Sequence, residues 1–214
     1  MRSFFVCLFL LLCLHSSGRV LQDTIKPADI FLRVNPTGLA DLNDLTLSVG
    51  VERRFSGTMA LAVDVAYIPY SQQFEDAKRT SGFIVRPAIR FFPNNNRFYF
   101  EGELHFKQVT HRIEDWLQRE ASNDVGSYEQ FTTFKYRKSA RGFHVKAGRI
   151  YKLTRDSRLW YEIYLGVGVH YAAFNVVKEP RSAYPSWDAF GRTRNRNAVT
   201  PAIPAGFRLM YRVN

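Results

Sequence analysis

Residues 158–174 read RLWYEIYLGVGVHYAAF. Taken alternately, this stretch splits into two series. Leu159, Tyr161, Ile163, Leu165, Val167, Val169, Tyr171 and Ala173 are all apolar or aromatic. Arg158, Trp160, Glu162, Tyr164, Gly166, Gly168, His170 and Ala172 carry both signs of charge and two glycines. A β-strand sends successive side chains to opposite faces, so the two series are two surfaces. The run is about twice the usual length of a soluble strand. It predicts a strand with oil on one side and a polar, narrow space on the other.

The same period recurs in seven other segments. They run over residues 30–35, 45–52, 59–67, 83–91, 98–107, 143–151 and 203–213. Period two sustained this often is a strong β signal. One segment differs: Ile113, Trp116, Leu117 and Ala121 lie at helical spacing within a connection. Three connections are tight turns of turn-forming residues, near Ser56-Gly57, Pro93 to Asn96 and Thr154 to Ser157. The others are long: Gly38 to Asp44, Ser71 to Thr80, His111 to Arg141 and Asn175 to Thr200. Short and long connections alternate, as in an up-and-down barrel with short periplasmic turns and longer external loops.

The amino terminus sets the compartment. After Met1-Arg2, the apolar run SFFVCLFLLLCL (3–14) leads to Ser16-Ser17-Gly18. This predicts a secretory signal over 1–18 and a barrel over 19–214. A lipoprotein anchor on Cys13 is the rival, opposed by Leu12 where a small residue is expected. Both cysteines, Cys7 and Cys13, lie in the signal, so the processed chain would carry no disulfide. Losing Arg2 takes the formal charge from +11 to +10, still strongly basic.

Aromatic placement gives a separate test. Beside the short turns the outward phase holds Phe55, Phe91, Phe98, Tyr151, Tyr161 and Tyr211. At the opposite strand ends it holds Tyr67, Phe83, Phe106, Phe143 and Tyr171. Two aromatic rings flanking aliphatic residues are the girdles of a membrane barrel. The expected fold is therefore all-β: an eight-stranded antiparallel up-and-down transmembrane β-barrel. The inward phase then supplies a charge network of Arg33, Glu52, Asp64, Arg86, Arg90, Glu101, Glu103, Lys107, Glu162, Arg208 and Arg212. Buried charges must be paired. Eight strands leave room only for side chains, which excludes an open pore.

With these features the chain resembles the small eight-stranded outer-membrane β-barrels of Gram-negative bacteria. The segment LTLSVGVERRFSGTMALAVDVAYIP (45–69) is similar to the second and third strands of an uncharacterised family of such proteins. The resemblance implies contact with outer-membrane lipid and lipopolysaccharide, and with the barrel insertion machinery. That machinery usually reads a terminal aromatic; here the candidate is Tyr211 in Tyr211-Arg212-Val213-Asn214. Pro87 and Pro204 depart from the pattern, since proline cannot donate to a ladder. Arg53 and Arg149 fall in the outward phase, near the short turns where they can snorkel.

Three functional classes remain open. The first is a non-enzymatic barrel with a structural or surface-contact role and no cofactor or metal. The second is a barrel enzyme acting on outer-membrane lipid or peptide, with inward His105, His144 and His170 and with Glu103 or Glu162 to orient one of them. It lacks a local histidine–serine motif, and no catalytic residues are assigned. The third is a soluble lipocalin-like ligand-binding barrel, which the girdles and loop alternation oppose. The surface ligand is unknown. The external loop 175–200 supplies contact candidates Arg181, Tyr184, Trp187, Arg192, Arg194 and Arg196, arginine and aromatics being the types that dominate binding hot spots. The positive charge matches no nucleic-acid-binding motif, so no nucleic-acid partner is expected.

Overall fold

A computed structural model describes residues 28–40, 44–71, 74, 77–93, 97–120, 128–154, 156, 158–179, 181–184 and 197–213. The predicted signal and loop residues Trp187, Arg192, Arg194 and Arg196 lie outside these. Among the described residues nine strands follow in order: β1 (Ile30–Asn35), β2 (Asp44–Arg54), β3 (Met59–Ser71), β4 (Ala77–Phe91), β5 (Phe98–Arg119), β6 (Tyr128–Lys152), β7 (Leu159–Val176), β8 (Ala198–Ala202) and β9 (Ala205–Arg212). A 3-10 turn, Pro36–Ala40, follows β1. Among the described residues no helix is long and apolar enough to cross a membrane.

Every pairing is antiparallel, and the sheet closes on itself. Each of β1 to β6 pairs with the next, β6 pairs with β7, and β9 lies between β7 and β1. The closure leaves few unpaired edges. The predicted eighth strand, 203–213, is β9; a further short strand, β8, precedes it where the sequence predicts the end of the loop 175–200, and both pair with β7. The break between them is Ile203-Pro204, where the proline sits without interrupting a ladder. Pro87 has a milder effect. The β4–β5 ladder runs from Val85↔Phe106 to Ala88↔Glu103 in unchanged register, with Arg86 and Pro87 left out of the pairing.

The short turns are built as their residues suggest. At the β2–β3 turn, Ser56 Oγ accepts the backbone N–H groups of Thr58 and Met59. At the β6–β7 turn, the hydroxyl of Thr154 and the N–H of Arg158 donate to Asp156. These contacts, led by Thr154, hold the Asp156 carboxyl below its ordinary range.

The outer face carries an apolar belt. Val49, Leu61, Val65, Phe83, Leu104, Val145 and Val167 are between 46% and 67% exposed. At the short-turn rim Phe55, Phe91, Phe98 and Tyr211 are exposed, and Tyr151 stacks on Tyr161 at 5.0 Å. So large an apolar surface on one closed sheet needs a partner.

One expectation is overturned. Residues 111–119 and 128–141 are not loop; they are the far halves of β5 and β6. Ala121, the last residue of the predicted helical segment, lies outside the described residues. Ile113 and Leu117 are four apart, a spacing that puts residues on one face of a helix and equally on one face of a strand. Both point inward, fully buried, while Trp116 points outward at 56% exposure. The alternation does not stop at Phe106; it inverts. On β5 the outward residues change from Phe98, Phe100, Leu104 and Phe106 to Gln108, Thr110, Arg112 and Glu114. The inward ones change from Glu101, Glu103, His105 and Lys107 to Val109, His111, Ile113 and Leu117, of which only His111 is polar. The paired strand β6 repeats this, with outward Val145 and Phe143 giving way to Arg141 and Lys135, and inward Lys146 and His144 giving way to Tyr136 and Phe134.

Candidate functional site

The interior is layered. Next to the short turns lies a floor of Phe31, Ala60, Phe92, Tyr99, Ile150, Trp160, Tyr164 and Met210. At the end of the long connections Phe74, Ile113, Leu117, Phe134, Tyr136, Val176 and Tyr184 form a cap. Ionisable side chains occupy the space between.

The ionic layer centres on Arg90, which is fully buried. Its Nε donates to Glu101 at 2.6 Å, Nη1 to Glu52 at 2.6 Å and Nη2 to Glu162 at 2.6 Å. Arg208 donates to Glu162 at 2.7 Å and to both Glu101 oxygens at 3.1 Å. Arg33 donates to Asp64 at 3.1 Å. Lys146 donates to Glu101 at 3.2 Å and also to Glu103. Arg54 donates to Glu52 at 3.1 Å and lies over the Phe92 ring. The aromatic floor meets the layer face-on, with Arg90 over Tyr99 and Arg208 over Tyr164. Five cations (Arg33, Arg54, Arg90, Lys146, Arg208) thus face five carboxylates (Glu52, Asp64, Glu101, Glu103, Glu162). This balance is what burial demands.

Three predicted network residues stand apart. Arg86 is half-buried and donates to Ser48 at 2.7 Å. Lys107 pairs with Asp44. Arg212 lies near the short-turn rim, 3.6 Å from Asp29. Conversely, Arg54 and Lys146 belong to the layer but were not in the predicted set. Arg54 escaped because it sits at the strand end, where alternation is hardest to phase.

Above the layer lies a cavity of about 750 Å³ lined by Arg86, Glu103, Lys107, Lys138 and Lys146, the histidines 105, 144 and 170, and residues 202–205 of the β8–β9 break. His144 Nδ1 is 2.9 Å from Glu103 Oε1, and its Nε2 is 2.6 Å from His170 Nε2. His105 stacks on His170 at 4.6 Å between ring centroids. Glu103 is therefore the carboxylate that orients a histidine; Glu162 is held by arginines instead.

Of the predicted external-loop contacts, Arg181 is exposed. Tyr184 is not available at the surface: it is 8% exposed and packs in the cap, its hydroxyl donating to Asp115 at 2.8 Å. An exposed aromatic pair the sequence reading missed, Trp116 and Phe131, meets across β5 and β6 at 5.6 Å.

Comparison with protein-family models, with curated proteins and with solved structures gives no match. The functional reading therefore rests on the chain's own residues.

The ionic layer makes a prediction about stability. Arg90→Met leaves Glu52, Glu101 and Glu162 short of their shared cation. Removing one partner of a buried ionic group costs about 3–5 kcal/mol. Urea unfolding of the refolded protein in detergent should show a loss of that size. A loss below about 1 kcal/mol, the range of an exposed pair, would show that the layer does not stabilise the ring.

Proposed function

We propose that this chain is an outer-membrane barrel of the small, filled kind, acting without catalysis through its structure and its external surface. β8 and β9 count as one interrupted strand, which makes eight. The observation that carries the reading is the inversion on β5 and β6. A strand puts its apolar face toward whatever excludes water. Up to Phe106 and Phe143 that side is outside; beyond them it is mainly inside, with Trp116 and Phe131 the outward exceptions on these two strands. Lipid around the lower part of the ring and water around the upper part account for both halves of the pattern. A soluble lipocalin-like barrel accounts for neither the exposed belt nor its sudden end.

The dimensions agree. Ten steps from Tyr161 to Tyr171 span about 33 Å along the strand. At the usual tilt they rise about 25 Å, the height of the apolar band in outer-membrane barrels. The ionic layer and aromatic floor fill the lumen, which argues against conduction. The signal over 1–18 supplies the export such a protein needs.

The surface just above the belt supports contact with lipopolysaccharide. Arg79, Arg112 and Lys135 are exposed neighbours on successive strands, paired Arg79↔Arg112↔Lys135. Like charges directly opposite one another destabilise a sheet. A row of three is best explained by an anionic layer at that height, such as the phosphates of the outer leaflet.

Two tests follow. Leu104→Arg and Thr110→Arg alter the same face of β5 on either side of the inversion. In refolding into lipid the first should cost about 2–4 kcal/mol and the second about 0–1 kcal/mol. Equal costs would remove the lipid boundary. Replacing Arg79, Arg112 and Lys135 together by alanine should leave the heat-dependent gel migration of a closed barrel intact. It should also weaken low-salt binding to lipopolysaccharide, with the difference shrinking at high salt. Unchanged binding would exclude this row as the contact.

A further inference from the structure

The histidines of the cavity do more than fill a polar interior. His105, His144 and His170 come from β5, β6 and β7, and the register brings them together. One rung reads Glu103↔His144↔Gly168, and the next inward rung reads His105↔Gly142↔His170. Each histidine therefore faces a glycine on a neighbouring strand. A Cβ at Gly142 would come 2.2 Å from His170 Cδ2, and one at Gly168 would come 2.2 Å from His144 Cδ2. The glycines leave the space into which the two imidazoles lean. The sequence carries this as a repeated Gly-x-His, Gly142-Phe143-His144 and Gly168-Val169-His170. Antiparallel pairing makes the repeat reciprocal.

The product is a set of three nitrogen donors, all within 4.8 Å of one another. In a tetrahedral site with metal–nitrogen bonds of about 2.0–2.1 Å, donors stand about 3.3 Å apart. Small side-chain rotations cover the difference. Glu103 accepts from His144 Nδ1 in this arrangement, which leaves Nε2 as the donor to a metal; that is the carboxylate–histidine–metal relay of known sites. His105 is 7% exposed, and its Nδ1 is buried with no hydrogen-bond partner. Buried polar atoms normally have one, so a ligand would answer an open demand. Nearby cations are partly neutralised, Lys107 by Asp44 and Lys146 by Glu101 and Glu103.

We propose that His105, His144 and His170 form a three-histidine site for a late first-row divalent cation of the zinc or copper class. Imidazole ligands select such ions. Three protein ligands leave a fourth position, which opens on the cavity, as in metal sites that bind or activate a small ligand. The lining cations Arg86 and Lys138 favour an anion there. The site does not depend on what surrounds the ring.

The test uses the full processed chain, refolded in detergent and free of any histidine tag. Titration calorimetry with Zn²⁺ should show one ion per chain, bound tightly enough to titrate at micromolar protein and removable by chelator. Losing a second-shell partner typically lowers affinity about 10–100-fold; His170→Asn, which removes a ligand, should exceed that. The far-ultraviolet circular dichroism of the β-sheet and its thermal melt report whether each variant still folds. Pulsed electron paramagnetic resonance of the wild type loaded with Cu²⁺ gives a reading independent of mutagenesis and should show coupling to several imidazoles. Folded wild type without stoichiometric binding would overturn the proposal. So would unchanged affinity in a folded His170→Asn, or a Cu²⁺ spectrum lacking multiple imidazoles. Any of these would leave the histidines as a hydrogen-bonded packing cluster.

Discussion

Arg90 joins β4 to β2, β5 and β7 across the middle of the ring through Glu52, Glu101 and Glu162. The rest of the interior is arranged around that contact. With Arg208, Arg33, Arg54, Lys146, Asp64 and Glu103, every strand except β8 contributes to one ionic layer. The narrow interior buries these groups, each 3% exposed or less. Except for Arg54, which bonds Glu52 on its own strand, each finds its partner on another strand, and the register is fixed in the process. Shifting one strand by one residue would send its charges outward and its apolar residues into the layer. The apolar belt, the cavity above the layer and the three-histidine cluster all follow from the same register.

Much of the fold was legible in the sequence because period two is a direct image of the two faces. All of the stretch 158–174 but Arg158 lies in one uninterrupted strand, β7, and eight of the predicted network residues lie in the ionic layer. The upper hairpin was not legible for a physical reason. Ile113 and Leu117 satisfy helical and strand spacing alike, and an inverted pattern looks like the end of a strand when only its apolar outward phase is followed. Inward Val109, Phe134 and Tyr136 carry the signal that was missed. The break at Ile203-Pro204 was signalled by proline, but that β8 would remain on β7 was a tertiary outcome.

The histidine cluster shows where single-strand reading stops. Each histidine was recognisably inward, yet their meeting depends on which residues face each other across strands. Once Gly142 is known to face both His105 and His170, the repeated Gly-x-His explains itself. The two functional proposals then concern different parts of one object. The belt and the cationic row concern the environment of the ring, and the cavity concerns what the ring holds.

The inversion on β5 can be measured directly. The chain beyond the predicted signal has no cysteine, so single cysteines can be placed at each position from Phe98 to Glu114 and spin-labelled after refolding into bilayers. Accessibility to oxygen, which concentrates in lipid, and to a water-soluble nickel complex then reads the surroundings residue by residue. The account predicts oxygen access at 100, 104 and 106, nickel access at 110, 112 and 114, and a crossover between Phe106 and Thr110. Nickel access at 100, 104 and 106 equal to that at 110, 112 and 114 would contradict it, because the belt would then face water.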